Sequence, residues 1–101
     1  MKRKNFLVWK NILFYSDLEQ EVFFEFIEQI KSIIEFEKKN NSLYLYLKST
    51  RISDKDLRTI IGLFDRFKIN MKQLKMFLNE RNKKWFKNKN AYWVKSVFGL
   101  K

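Results

Sequence analysis

Apolar residues recur with two different periods along this chain, and the changes of period divide it into elements. Asn5 to Tyr15 is aromatic and aliphatic, with Phe6, Val8 and Trp9 favouring extended backbone, and predicts a first strand at about 5 to 14 with a break at Asn11. Ser16-Asp17 then starts a helix. Either side chain can cap the free amides, Glu19 and Glu21 suit the positive end of the helix dipole, and the helical spacing runs to about Lys31. On a wheel Leu18, Val22, Phe23, Phe26, Ile27 and Ile30 fill one broad arc, which is the expected core face.

From Ile33 the period falls to two. Ile34-Glu35-Phe36-Glu37 and Leu43-Tyr44-Leu45-Tyr46-Leu47 alternate as half-buried strands do, so strands are expected over Ile33 to Lys38 and Leu43 to Lys48. Lys39-Asn40-Asn41-Ser42 joins them as a hairpin loop, because Asn tolerates left-handed backbone angles. Ser53 caps a second helix, with Asp56 three positions on as in a capping box, and Leu57, Ile60, Ile61, Phe64 and Phe67 form its buried stripe.

Beyond Lys68 the helical pattern comes in short pieces. Asn70 is placed to cap Met71 to Glu80, with Leu74, Phe77 and Leu78 inward. Asn90 is placed to cap Ala91 to Phe98, with Val94, Val97 and Phe98 inward and Gly99 suited to the helix end. Arg81 to Lys89, between them, reads as a loop or one helical turn. The order strand, helix, hairpin, helices predicts an α+β fold, a three-stranded antiparallel sheet covered by several helices with a helical C-terminal half. At 101 residues this is expected to be a single domain spanning 1–101, with no linker or internal repeat.

Composition narrows the chemistry. The chain has no Cys and no His, which removes disulfides, thiolate nucleophiles and the usual imidazole bases and metal ligands. The carboxylate pairs Asp54/Asp56 and Glu35/Glu37 are explained by helix-start electrostatics and by the solvent side of a strand. Gly62 and Gly99 cannot form a phosphate loop, and no Ser has a His partner. The expectation is a protein without enzymatic activity, with no catalytic, cofactor-binding or metal-binding residues and no cofactor. Apolar runs such as Phe6 to Trp9 and Ile12 to Tyr15 are far shorter than the roughly 20 residues of a membrane span. The Met1-Lys2-Arg3-Lys4 start has the basic flank of a signal peptide, but Lys10 and Asn11 interrupt the apolar stretch behind it and no cleavage site follows. A cytoplasmic location without a membrane partner is therefore expected.

The formal charge of +11 is unevenly spread. Residues 1–16 carry +4, residues 17–37 carry −6 and residues 38–101 carry +13. Lys makes up 17 of the 22 cations, beside many Asn and a single Ala, as expected when codons drift towards A and T, so part of the charge reflects composition rather than a ligand. Two surfaces emerge as candidates. On the first helix Asp17, Glu21, Glu25 and Glu28 share one arc with Phe24 at its edge, a docking surface for a basic protein in which the acids steer the encounter and Phe24 anchors it. The plainer alternative is a solvated helix face with Phe24 covered by the C-terminal helices. Tyr44 and Tyr46, opposite the hairpin's leucines, line either a partner site or a second packed layer. The other surface is basic. Residues 68–101 carry +9, and Lys83, Lys84, Trp85, Lys87 and Lys89, near Phe86, Tyr92 and Trp93, are a candidate nucleic-acid-binding patch. Against it, Trp and Phe at such spacings also serve as core plugs, and no helix-turn-helix, zinc-finger or aromatic RNA-binding signature accompanies the charge.

The runs Asp17-Leu18-Glu19-Gln20-Glu21-Val22-Phe23-Phe24, Leu43-Tyr44-Leu45, Ile52 to Arg58, Leu63 to Leu74, Trp85-Phe86 and Tyr92-Trp93 through Val97-Phe98-Gly99 together resemble a group of small, uncharacterised bacterial proteins associated with immunity to contact-dependent or polymorphic toxins. The resemblance covers most of the chain from residue 15 onward and brings no functional residues to carry over. It implies a small cytosolic inhibitor that neutralises one toxin domain by direct protein–protein binding. Inhibitors of basic nucleases are expected to be acidic overall, so an inhibitor of charge +11 either uses its acidic helix locally or recognises an acidic toxin.

Overall fold

Two antiparallel pairings build the sheet of this α+β protein. In the computed structural model, which describes residues 5–99, β1 (Phe6–Lys10) and β2 (Ile33–Lys39) flank β3 (Ser42–Leu47) in the order β1-β3-β2. The basic Met1-Lys2-Arg3-Lys4 start lies outside the described residues. The chain divides into two units, Met1–Thr50 and Arg51–Lys101.

In the first unit the break expected at Asn11 ends β1 instead of interrupting it. Asn11 takes φ 56°, and the chain leaves the sheet four residues before the sequence expectation of 14. The hairpin turn is tighter than the four-residue loop expected, since Lys39 and Ser42 belong to the strands. Only Asn40 and Asn41 turn the chain, at φ 51° and 63°, the paired left-handed conformation whose twist matches that of the flanking strands. Register then assigns the faces. Leu7 and Trp9 lie opposite Leu45 and Leu43, and Phe36 lies opposite Leu45, so these share one face. Phe6, Val8, Tyr44, Tyr46, Glu35 and Glu37 occupy the other.

The helix α1 (Asp17–Gln29) lies on the leucine face of this sheet, with the Phe23 ring centroid 5.1 Å from Trp9 and that of Phe24 5.1 Å from Phe36. Its start follows the sequence: the Ser16 hydroxyl accepts from the Glu19 amide at 3.1 Å, and the Glu19 carboxylate accepts at 2.8 Å from the amide of Tyr15, one residue before the cap, a variant of the capping box. Its core face does not follow the sequence. Phe23, Ile27 and Ile30 are buried, but Leu18 is 69% and Phe26 36% exposed. The buried stripe is the narrow i, i+4, i+7 row, and the row Leu18, Val22, Phe26 is rotated away from it by about 100° per residue step. The helix also stops at Gln29 rather than Lys31, because Ile30 turns extended (φ −87°, ψ 101°) to enter β2.

Among its described residues the second unit holds helices joined by turns and irregular segments, with no strand. Ser53 caps α2 (Asp54–Arg66) by accepting from the Asp56 amide at 3.1 Å, and Leu57, Ile60, Ile61 and Phe64 are buried as expected, joined by Leu63, while Phe67 is half-buried. Met71–Phe77 is a 3-10 helix rather than an α-helix reaching Glu80; it is capped at Asn70, whose side chain accepts from the Lys72 amide at 3.0 Å. It ends where Asn79 and Asn82 brace each other, each side-chain oxygen accepting from the other's amide at 2.9–3.0 Å, while Asn82 Nδ2 donates to the Phe77 carbonyl at 2.8 Å. This hydrogen-bonded polar turn is buried at Asn82, which satisfies backbone that would otherwise be costly there. One helical turn follows as expected, α3 (Lys83–Phe86), and then α4 (Val94–Phe98), whose C-cap Gly99 adopts φ 68°. Asn90 does not cap this last helix; α4 begins after Trp93 with no side-chain cap, because the residues before it are spent on turns. Both α2 and α4 pack on the 3-10 helix.

Candidate partner-binding surface

Helical geometry brings five of the sequence-selected residues together. Asp17, Glu21, Phe24, Glu25 and Glu28, with Gln20, line one shallow, open groove of about 500 Å³ along α1. The four carboxylates are exposed, and among the described residues none of the four is in an ion pair. Four carboxylates spread over about three helical turns, each without an ion-pair partner among the described residues, make a continuous negative strip.

Phe24 is the hinge between this strip and an apolar depression. It is half-buried, with ring centroids at 6.2 Å from Phe14, 5.3 Å from Phe23 and 5.1 Å from Phe36, so rings of its own unit pack against it while part of it remains accessible. A second groove of about 320 Å³ opens on its other side, lined by Leu13, Phe14, Phe36, Lys38 and Leu43 among others, with Gln20 and Phe24 common to both. Leu13 and Phe36 are 56% and 46% exposed there. On the far flank of the acids, Leu18 and Phe26 project as well. The acidic strip is thus bordered on both sides by accessible apolar side chains, an arrangement that the sequence reading missed by assigning Leu18 and Phe26 to the core.

Tyr44 and Tyr46 do not join this surface. Register places them on the sheet face opposite α1, where both are half-buried and the Tyr46 hydroxyl donates to Glu37 Oε1 at 2.9 Å. They form a separate cluster with Phe6.

The residues of the basic alternative are dispersed in role. Lys83, Lys84, Lys87 and Lys89 are exposed, with Lys83 Nζ 3.4 Å from the Glu80 carboxylate and Lys87 Nζ 5.6 Å from the Phe98 ring. Trp85 is half-buried; the Arg58 guanidinium covers one ring face at 4.0 Å and Trp93 abuts it at 6.0 Å. Phe86 is fully buried, and the Trp93 indole N–H donates to the Phe86 carbonyl at 2.7 Å. These rings are therefore engaged in packing, and only Tyr92, 62% exposed, projects. Partial burial, followed by the nearby Asp65 carboxylate, raises the Tyr92 phenol above its ordinary value.

Among the described residues, no group of three or more acids is arranged to hold a metal ion, and no helix is long and apolar enough to cross a membrane. Comparison with protein-family models, curated proteins and solved structures finds no match to this chain.

Proposed function

We propose that this protein is an immunity-type binder that neutralises a bacterial toxin domain by direct contact, acting in the cytoplasm without catalysis of its own. The observation that carries the reading is the α1 groove, in which Asp17, Glu21, Glu25 and Glu28 stand beside Phe24. A half-buried ring packed against its own unit, with carboxylates free of ion pairs along one side, supplies the two ingredients of a specific interface: an anchor and long-range steering. The partner face that fits is basic, with an apolar side chain to meet Phe24. This also answers the charge problem. The unit Met1–Thr50 carries only +1, against +10 for Arg51–Lys101, so the acidic helix is presented by the nearly neutral unit.

The test starts with the tagged protein, washed at about 0.3 M salt with nuclease present, where screening shortens electrostatic reach to a few ångströms. The stoichiometric protein retained is then titrated against Glu21→Lys with Glu25→Lys and, separately, Phe24→Ala. Weakening of about tenfold or more in each, with loss of protection against that protein's toxicity, is the expected result. Undiminished affinity in both would remove α1 as the docking surface.

A further inference from the structure

Sheet order places β2 at an edge: among the described residues no strand pairs with its outer side, and every residue from Ile34 to Lys39 is exposed. Which backbone groups face outward follows from the turn. Lys39 and Ser42 close the two-residue turn as a hydrogen-bonded pair, so the residues of β2 bonded to β3 are Lys39, Glu37 and Glu35. The far side of β3 agrees, since the Leu47 amide donates to the Asn5 carbonyl at 2.9 Å, towards β1, which leaves the even-numbered positions of β3 for β2. Phe36 and Lys38 therefore turn their N–H and C=O groups to the open edge. Such an edge is a template for another strand, and bulges and lysines guard against unwanted pairing. β2 has both guards at its ends, a register shift between Ile33 and Glu35 and Lys38-Lys39 before the turn, but between them stands Phe36, 46% exposed.

We propose that the β2 edge accepts an extended segment of a basic protein as an added strand, with cations opposite Glu35 and Glu37 and an apolar residue between them opposite Phe36. The outward N–H and C=O pairs of Phe36 and Lys38 call for extended peptide backbone, which a helix or a nucleic acid does not offer. The side chains then set its sequence. Residues opposite Glu35 and Glu37 share the face of these exposed carboxylates, and opposite charges directly across a strand pair are favourable. Glu37 keeps its charge, because the Tyr46 hydroxyl that donates to its Oε1 at 2.9 Å is neutral. The residue between the cations falls on the leucine face beside Phe36, whose ring lies 5.1 Å from Phe24 and lines the groove of about 320 Å³. A second copy of the chain fits poorly. Antiparallel self-pairing about Phe36 sets each Glu35 opposite a Glu37, and pairing about Glu37 sets that carboxylate opposite itself. The inference uses none of the α1 carboxylates and stands apart from the α1 reading.

Fluorescence anisotropy of a fluorescein-labelled peptide of about seven alternating Lys and Val residues tests it on the full chain at about 0.1 M salt. An alternating Glu-Val peptide is the charge control, and the Lys-Val peptide N-methylated at its valines, whose amides would face Phe36 and Lys38, is the backbone control. The Lys-Val peptide should bind at least about tenfold more tightly than either control, and its binding should slow hydrogen exchange at the Phe36 and Lys38 amides, read by NMR. Lys38→Pro removes an outward donor and no ladder bond, so it should abolish binding, while Lys38→Ala should retain it. Circular dichroism checks the fold of each variant; should Lys38→Pro not fold, the N-methylated peptide makes the same test on the unaltered chain. Four results would each overturn the proposal: no saturable binding of the Lys-Val peptide, equal binding of either control, binding indifferent to Lys38→Pro in folded protein, or binding lost in Glu21→Lys with Glu25→Lys, which would seat the peptide on α1. Protection of the Phe36 and Lys38 amides that grows with protein concentration, without peptide, would give the edge to a second copy and overturn it as well.

Discussion

Rotation of α1 about its own axis decides which of its side chains are available to a partner, and a pair of truncations measures that rotation. Phe23 is fully buried and touches three rings, those of Trp9, Phe14 and Phe24, at centroid distances of 5.1–5.5 Å. Phe23→Ala removes the transfer free energy of a whole aromatic ring and leaves a cavity between helix and sheet, for a cost of about 3–5 kcal/mol. Leu18 is 69% exposed, so its truncation forfeits only about a third of the roughly 1.5–3 kcal/mol of a fully buried side chain, and leaves no cavity. About 0.5–1 kcal/mol is expected. With a urea m-value of about 1–3 kcal/mol/M, the two variants should differ in midpoint by about 1 M or more. Urea titration followed by circular dichroism and tryptophan fluorescence reads both, Trp9 reporting directly on the Phe23 contact. Should Phe23→Ala fail to fold, Phe23→Leu, at about 1.5 kcal/mol, still exceeds Leu18→Ala. Equal costs for Leu18→Ala and Phe23→Ala would mean that the whole apolar arc is buried. The accessible flank beside the acidic strip would then not exist.

Two further predictions follow from single backbone and titration features. Gly62 lies inside α2 with nothing within 4 Å of an added Cβ, so Gly62→Ala should stabilise by about 0.5–1 kcal/mol, whereas Gly99→Ala, at φ 68°, should destabilise by about 1–2 kcal/mol although it meets no atom either; thermal melts separate the signs. Tyr92 is held above the ordinary phenol value by burial and then by Asp65, so the unfolded chain loses this proton first and the group should subtract stability as pH rises through about 10. Asp65→Asn should lower the Tyr92 midpoint in a phenolate absorbance titration, and an unmoved midpoint would exclude the carboxylate as a cause.

Local chemistry made much of this fold legible. The caps Ser16, Ser53 and Asn70, the alternation through Leu43–Leu47 and the paired asparagines of the turn each act through neighbours within four residues, so the linear chain suffices to locate them. The acidic strip was equally legible, because helical periodicity alone aligns Asp17, Glu21, Glu25 and Glu28. What the chain could not announce is which way an amphipathic element faces when its apolar arc is wider than the surface it covers. The sheet beneath α1 presents Trp9 and Phe36, and these select Phe23 and Phe24 over Leu18 and Phe26. Likewise the polar brace at Asn79 and Asn82 stops the helix expected to reach Glu80, and strand register sets Phe6 beside Tyr44 and Tyr46, whose place opposite the leucines the alternation already gives. Sequence determined where elements begin and what each side chain can offer. Tertiary packing, a competition among more apolar side chains than one small sheet can bury, decided which of them remain for a partner.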